Sequence, residues 1–128
     1  MSGFSDALEV SASGLRAQSA RLRLVSENIA NSDTPGYRRK IAPFEMQSTE
    51  GMSTVSMGKV TADKSQLDRI HDPSHPLADA SGYFEGSNVN LIVEIADARE
   101  AQRTYEANLK MFDQARQMSS RLYELLRR

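Results

Sequence analysis

His71-Asp72-Pro73-Ser74-His75 is the one stretch that gathers residue types suited to metal binding or catalysis. Its histidines are four apart, a spacing that would place both on one face of a helix. Pro73 and Pro76 forbid that helix, because proline lacks the backbone donor and drives the preceding residue towards extended geometry. No third strong ligand lies nearby, so the stretch reads as an Asp-Pro and His-Pro turn rather than a metal site. The chain has no cysteine, which excludes disulfides, thiolate metal sites and cysteine nucleophiles. It also has no glycine-rich phosphate loop and no Gly-x-Ser-x-Gly elbow. No catalytic residue, metal or cofactor is expected, and the chain does not read as an enzyme.

Arg38-Arg39-Lys40, beside Tyr37, could contact phosphates. With 16 basic residues against 17 acidic, however, the net charge is −1, and one short cluster is a poor nucleic-acid footprint. The run reads instead as a solvated or subunit-bridging patch. Asn28 and Asn108 lie beside apolar seams. Either they are solvated there, or they are buried in a helix bundle and fix its register, as a core asparagine does in coiled coils.

The elements that would carry these residues are legible from periodicity. Residues 4–31 read as one helix about 40 Å long. Leu8, Leu15, Leu22 and Ile29 recur every seven residues, with Val25 one turn before Ile29. Ala12, Ser19 and Ser26 follow each leucine by four, predicting a large-then-small seam against a partner helix. Arg16, Arg21, Arg23 and Glu27 are expected mostly away from it. Asn31-Ser32-Asp33-Thr34-Pro35-Gly36 should end the helix, with Asn31 suited to a left-handed stop and Pro-Gly to the centre of a type II turn. Residues 37–87 hold β-like pieces at 41–46 and 54–61, the second with room for a bulge, and a turn-rich stretch at 71–87.

A second helix, about 55 Å long, is predicted over 90–127. Asn90 suits its N-cap, and Glu94 and Asp97 suit the positive end of its dipole. Its expected stripe is Leu91, Ile95, Ala98, Tyr105, Leu109, Phe112, Ala115, Leu122 and Leu125, with Arg121, Arg127 and Arg128 at the negative end. The predicted fold is therefore mainly α. Long N- and C-terminal helices pair as an antiparallel coiled coil or helical bundle around a small irregular or β-containing middle. The expected division is an assembly helix and turn at 1–36, a middle segment at 37–87 and a second assembly helix at 88–128. Only 39% of residues are apolar and tryptophan is absent, so the core is thin and part of the helix surface is left for other chains. The ends should be poorly ordered alone and fold on association. The first 30 residues lack the apolar core of a signal peptide, and no run is long enough to span a membrane.

One block adds a family. Ala12-Ser13-Gly14-Leu15-Arg16-Ala17 leads through Ser26-Glu27-Asn28-Ile29-Ala30-Asn31 to Thr34-Pro35-Gly36-Tyr37, and this resembles the axial proteins of the bacterial flagellum, the rod and hook family. In the second half, Asp72-Pro73-Ser74-His75-Pro76, Ala78-Asp79, Gly82-Tyr83, Asn88-Val89-Asn90-Leu91 and Gln102-Arg103-x-Tyr105-Glu106-Ala107-Asn108-Leu109 are similar to its proximal-rod branch. The likeness is weakest at 43–70, and Leu77 stands where members often carry an acid.

The resemblance implies a structural subunit exported by the flagellar type III apparatus without a cleaved signal peptide. It would assemble in the periplasm into the torque-transmitting rod around the export channel. Implied partners are further copies of the chain, other proximal rod proteins, the rod's basal adaptor and distal rod subunits, with no nucleic acid and no integral membrane segment. The expected assembly interface is Leu8, Leu15, Leu22, Val25, Asn28, Ile29, Asn31, Leu91, Ile95, Tyr105, Asn108, Leu109, Phe112 and Leu122. A non-flagellar helical adaptor or coiled-coil interaction protein is the competing reading of the helices alone.

Overall fold

The computed structural model describes residues 2–127. Helix α1 spans Ser2–Ala30 and helix α2 spans Leu91–Leu126. Between them lie β1 (Lys40–Ile41), β2 (Phe44–Thr49), β3 (Met52–Met57), β4 (Thr61–Ala62), β5 (Arg69–His71) and β6 (Tyr83–Glu85). They form three separate antiparallel pairs: β1 with β4, β2 with β3, and β5 with β6. Arg128 lies outside the described residues.

The stop after α1 follows the chemistry of its residues with one correction. Gly36 has φ +77° and the Tyr37 N–H donates to Thr34 O at 3.1 Å, so Pro35-Gly36 forms a type II turn. Asn31 does not adopt the left-handed conformation, since Glu50 is the one non-glycine with positive φ among the described residues. Its side-chain amide donates to Glu27 O at 2.9 Å and its Oδ1 accepts from the Thr34 hydroxyl, which satisfies a terminal carbonyl without reversing the backbone. At the other helix, Asn90 caps α2, its side chain accepting from Ile92 N and Val93 N.

In the middle, the expected pieces at 41–46 and 54–61 become two ladders rather than two strands with a bulge. Glu50 and Gly51 have φ 52° and 78°, the two positive values that a two-residue type I′ hairpin requires, and they join β2 to β3. Beyond the hairpin Gly58 N donates to Pro43 O at 2.7 Å, and pairing resumes at Ile41↔Thr61. Pro43 cannot donate to a ladder, so it marks the break. The turn-rich stretch also contributes a strand, β6, which pairs back onto β5.

The helices lie against each other with contacts that climb one as they descend the other. Arg21 meets Asp97 at 3.5 Å, Gly14 faces Asn108, and Phe4 and Leu8 share a groove with Leu122 and Leu126. The seam is rotated from the expected one. The buried line of α1 runs through Ser11, Gly14, Gln18, Val25 and Asn28, while Leu8, Leu15, Leu22 and Ile29 flank it, half-buried. Ser19 and Ser26 are exposed. On α2 the covered line is Glu94, Ala98, Ala101, Tyr105, Asn108, Phe112, Ala115, Ser119 and Leu122, spaced alternately four and three apart. Leu91, Ile95, Leu109 and Leu125 are exposed, and so depart from the expected stripe.

Close approach explains the rotation. A Cβ added at Gly14 would sit 2.7 Å from Asn108 Nδ2, so any larger residue there would have to displace the Asn108 amide. Small residues at Gly14, Ala17 and Ala101 occupy the centre, and the leucines, too bulky for it, are pushed to the flanks. Ser13 joins the β2–β3 hairpin to α1, its hydroxyl accepting from Val55 N at 3.2 Å. Among the described residues, no helix is long and apolar enough to cross a membrane.

Candidate assembly site and the junction that shapes it

The segment after α1 returns along that helix because Asn28 holds it. Asn28 is 1% exposed; its Oδ1 accepts from the Tyr37 hydroxyl at 2.8 Å and from Lys40 N at 2.9 Å, and its Nδ2 donates to Lys40 O at 2.9 Å. Three of the four hydrogen-bonding sites of a primary amide are used. This corrects the expected role: Asn28 fixes the path of its own chain, not the register of a helix bundle. Asn108, half-buried against Gly14, does sit at the helix–helix contact.

Asn88 performs the matching task ahead of α2. Its Oδ1 accepts from Arg39 N at 2.6 Å, its Nδ2 donates to Asp63 O at 3.0 Å and Ser65 O at 3.2 Å, and its backbone N–H meets Tyr37 O. Gly36 N donates to Glu85 O and Gly86 O, and the Ser87 hydroxyl donates to Ser32 O. The 28–37 block and the 87–90 block are thus the two halves of one junction.

Charge completes it. Arg39 Nε donates to Glu94 Oε1, its Nη2 to Asp97 Oδ2 at 3.1 Å, and its Nη1 stands 4.0 Å from Asp63. Lys40 pairs with Glu27, and Arg38 Nη1 donates to Ser65 O at 2.9 Å. The run is therefore paired within the chain rather than free to bridge subunits, with Arg39 the most enclosed and Arg38 left exposed, as a solvated patch would have it. Acids from α1, the middle and α2 converge on it. Glu94 is fully buried, with one oxygen held by Arg39 and Oε2 enclosed without a partner. Burial, and then the Glu27 carboxylate, push the Tyr37 hydroxyl pKa up. The hydrogen bond to Glu27 holds the Lys40 amine above its ordinary value, and the Ser65 N–H holds Asp63 below its own.

The histidines are spent in packing. His71 meets Tyr83 edge-on at 4.7 Å, and His75 stacks on Phe84 at 3.8 Å while its Nδ1 accepts from Leu77 N. Ser74 donates twice to Asp72, which keeps that carboxyl below its usual range. Among the described residues, no group of three or more His, Cys, Asp or Glu is placed to hold a metal.

What remains uncovered is apolar. At the start of α2, Ile92 is 80% exposed, and Leu91, Val93 and Ile95 are also exposed. At its end Met118, Tyr123, Leu125 and Leu126 are exposed, beside a groove of about 460 Å³ that Phe4 and Leu8 also line. Of the expected interface, Leu91, Ile95 and Leu109 lie on open surface, and Leu8, Leu15, Leu22, Ile29, Asn31, Tyr105, Asn108, Phe112 and Leu122 are half-buried. Val25 and Asn28 are enclosed within the chain. Sequence reasoning missed Arg39, Asn88 and Glu94 as a cluster. One signal was available: an acid flanked by Leu91-Ile92-Val93 and Ile95 must be either exposed or paired.

Residues 8–38 match the family model described as flagella basal body rod protein, and residues 80–125 match that of the flagellar basal body rod FlgEFG protein C-terminal. Both matches include half of the junction. The flagellar basal-body rod protein FlgC of Agrobacterium fabrum is 41% identical, aligning over 99% of this chain and 98% of its own length. The protein of that description from Bacillus subtilis is 31% identical over 92% of this chain and 95% of its own length, and that from Salmonella typhimurium 30% identical over 86% and 88%.

Proposed function

The chain belongs to the FlgC family of flagellar basal-body rod proteins, and from that membership we propose that it polymerises through its terminal helices as a subunit of the proximal rod. It is a structural protein of the rod and not an enzyme. On this reading the helices pair as an antiparallel coiled coil, line an inner tube around the export channel and carry torque. Residues 1–36 and 88–128 form the assembly unit, and 37–87 lie outside it. The type III apparatus exports the chain without a cleaved signal, and it folds in the periplasm against its own copies, other proximal rod proteins, the basal adaptor and distal rod subunits.

The observation that carries this reading is the division of labour between the junction and the helix surfaces. Apart from Glu94 Oε2, the buried polar groups at the junction are satisfied within the chain, while Leu91, Ile95, Leu109 and the apolar end of α2 are left for neighbours. Apolar surface of that extent on a helix pair is a contact waiting for a partner. Leu8, Leu15, Leu22 and Ile29 lie at the edges of the pair, where a third helix would complete their burial.

Hydrogen exchange tests the coupling of folding to assembly. The isolated chain should exchange rapidly over residues 5–30, and the same amides should become protected in purified basal bodies. Strong protection of 5–30 in the isolated chain would count against coupled folding.

A further inference from the structure

Two uncovered surfaces on this chain complement each other and cannot meet within one copy's helix seam. The first is the β2–β3 hairpin. All six residues of β2 are exposed, with Met46 at 77%, whereas the outer edge of β3 is occupied by the Val55–Ser13 contact. The hairpin carries Glu45 and Glu50 and no base, and neither acid joins an ion pair among the described residues. An open edge with apolar side chains invites another chain unless something covers it.

The second surface is a groove of about 480 Å³ on α2, lined by Ile92, Ile95, Ala96, Arg99 and Arg103, with Glu100 turned to Arg21 of its own chain. Arg99 and Arg103 join no ion pair among the described residues. The lengths agree: from Ile92 to Arg103 a helix rises about 16 Å, and a six-residue strand covers about 20 Å.

Resting on the rod reading, we propose that β2 of one subunit seats in the Ile92–Arg103 groove of a second copy, with Met46 beside Ile92 and Glu50, about 13 Å further along the hairpin, towards Arg99 and Arg103. The symmetry of the alternatives decides between occupants. Pairing β2 with β2 of a second copy uses one patch twice and closes a dimer, which stops growth. Hairpin to groove uses two different patches, so each added subunit leaves one of each free, as an extending or ring-closed assembly needs. The contact would add an outer tie to the inner helix packing.

The absence of cysteine makes a clean test possible. Met46→Cys and Ile92→Cys are introduced singly and together into a strain lacking the native chain, and basal bodies from swimming cells are oxidised. The double variant should run as a disulfide-linked dimer and higher multimers, and each single variant as monomer. A double variant that swims yet stays monomeric overturns the contact while leaving the rod reading intact, and a Met46→Cys dimer replaces it with strand-to-strand pairing. If the unaltered chain itself fails to restore rods, the rod reading falls first. Charge reversal supplies a second arm: Arg99→Glu with Arg103→Glu should reduce swimming at least tenfold, and adding Glu50→Arg should restore part of it. Full swimming after the first reversal would overturn the pairing.

Discussion

The two ends of the helix pair are built from opposite materials. Where α1 stops and α2 begins, Asn28, Tyr37, Arg39, Asn88 and Glu94 bond to one another and to the backbone of residues 39–40 and 63–65. Where α1 begins and α2 stops, Phe4, Leu8, Leu122, Tyr123 and Leu126 line an open groove. Among the described residues no ion pair involves α1 before Arg21 or α2 beyond Glu100. Hydrogen bonds and buried ion pairs demand fixed geometry, so the junction sets the angle at which the middle leaves the helices. Apolar contacts tolerate sliding, and the far end keeps its surface for whatever packs there. Rigidity is concentrated at one end of the molecule, and adhesive surface at the other end and on the outward face of α2.

Arg39→Ala should break this contrast most severely. It strands the Glu94 carboxylate, fully buried and already lacking a partner for Oε2. Removing one member of a buried pair costs about 3–5 kcal/mol, so urea unfolding should shift to a much lower midpoint. Replacing both residues, Arg39→Met with Glu94→Leu, should recover much of that stability, because no charge is left unpaired. If Arg39→Ala unfolds at the native midpoint, the junction is not what fixes the fold.

How far these regions were legible follows from the same contrast. Helix extents came out within two residues of 4–31 and 90–127, because a long periodic stripe ended by Asn-x-x-Thr-Pro-Gly or begun by Asn90 is local information. The rotation of the seam was not legible. Seven-residue leucine spacing marks an apolar face, but which edge of that face is buried depends on how closely the partner approaches, and Gly14 decides that only once Asn108 is opposite it. The junction was half legible: its residues stood out as motifs, but Arg39 to Glu94 spans 55 positions and no local pattern pairs them. The Glu50-Gly51 turn was missed because its flanking strands are polar and lack strong alternation.

The middle of the helix pair, between these two ends, offers the next perturbation. Gly14→Val would drive a branched side chain into Asn108, whose Nδ2 lies 2.7 Å and Cγ 3.0 Å from the position of a Cβ. Overpacking of this kind costs about 1–3 kcal/mol. Adding Asn108→Ala makes room, so a double-mutant cycle on the urea midpoints of assembled rods, where α1 is ordered, should show coupling of at least about 0.5 kcal/mol between the two sites. Strict additivity would mean that the helices do not approach closely there.

The smallest expected effect separates the junction from the outer middle by pH. Hydrogen bonds from Ser65, Ser74 and Tyr83 hold Asp63, Asp72 and Asp79 below their ordinary values. A depressed carboxyl contributes stability that is present above its unfolded value of about 3.9 and is lost as pH falls through the folded one. Tyr37, through burial, and Lys40, through Glu27, are held above their ordinary values. Their contribution is fully present below unfolded values of about 10 and disappears as pH rises through the folded ones. An acid limb should therefore report mainly the outer middle, and an alkaline limb the junction. Asp72→Asn with Asp79→Asn should flatten the first and leave the second, while Tyr37→Phe should flatten the second alone. These groups are largely solvated apart from Tyr37, so each limb should be shallow, a modest drift in urea midpoint rather than a collapse. If Tyr37→Phe instead changed the acid limb, the two regions would be coupled through the Asn88 bonds to Asp63 and Ser65, and the junction would reach further into the middle than its side chains do.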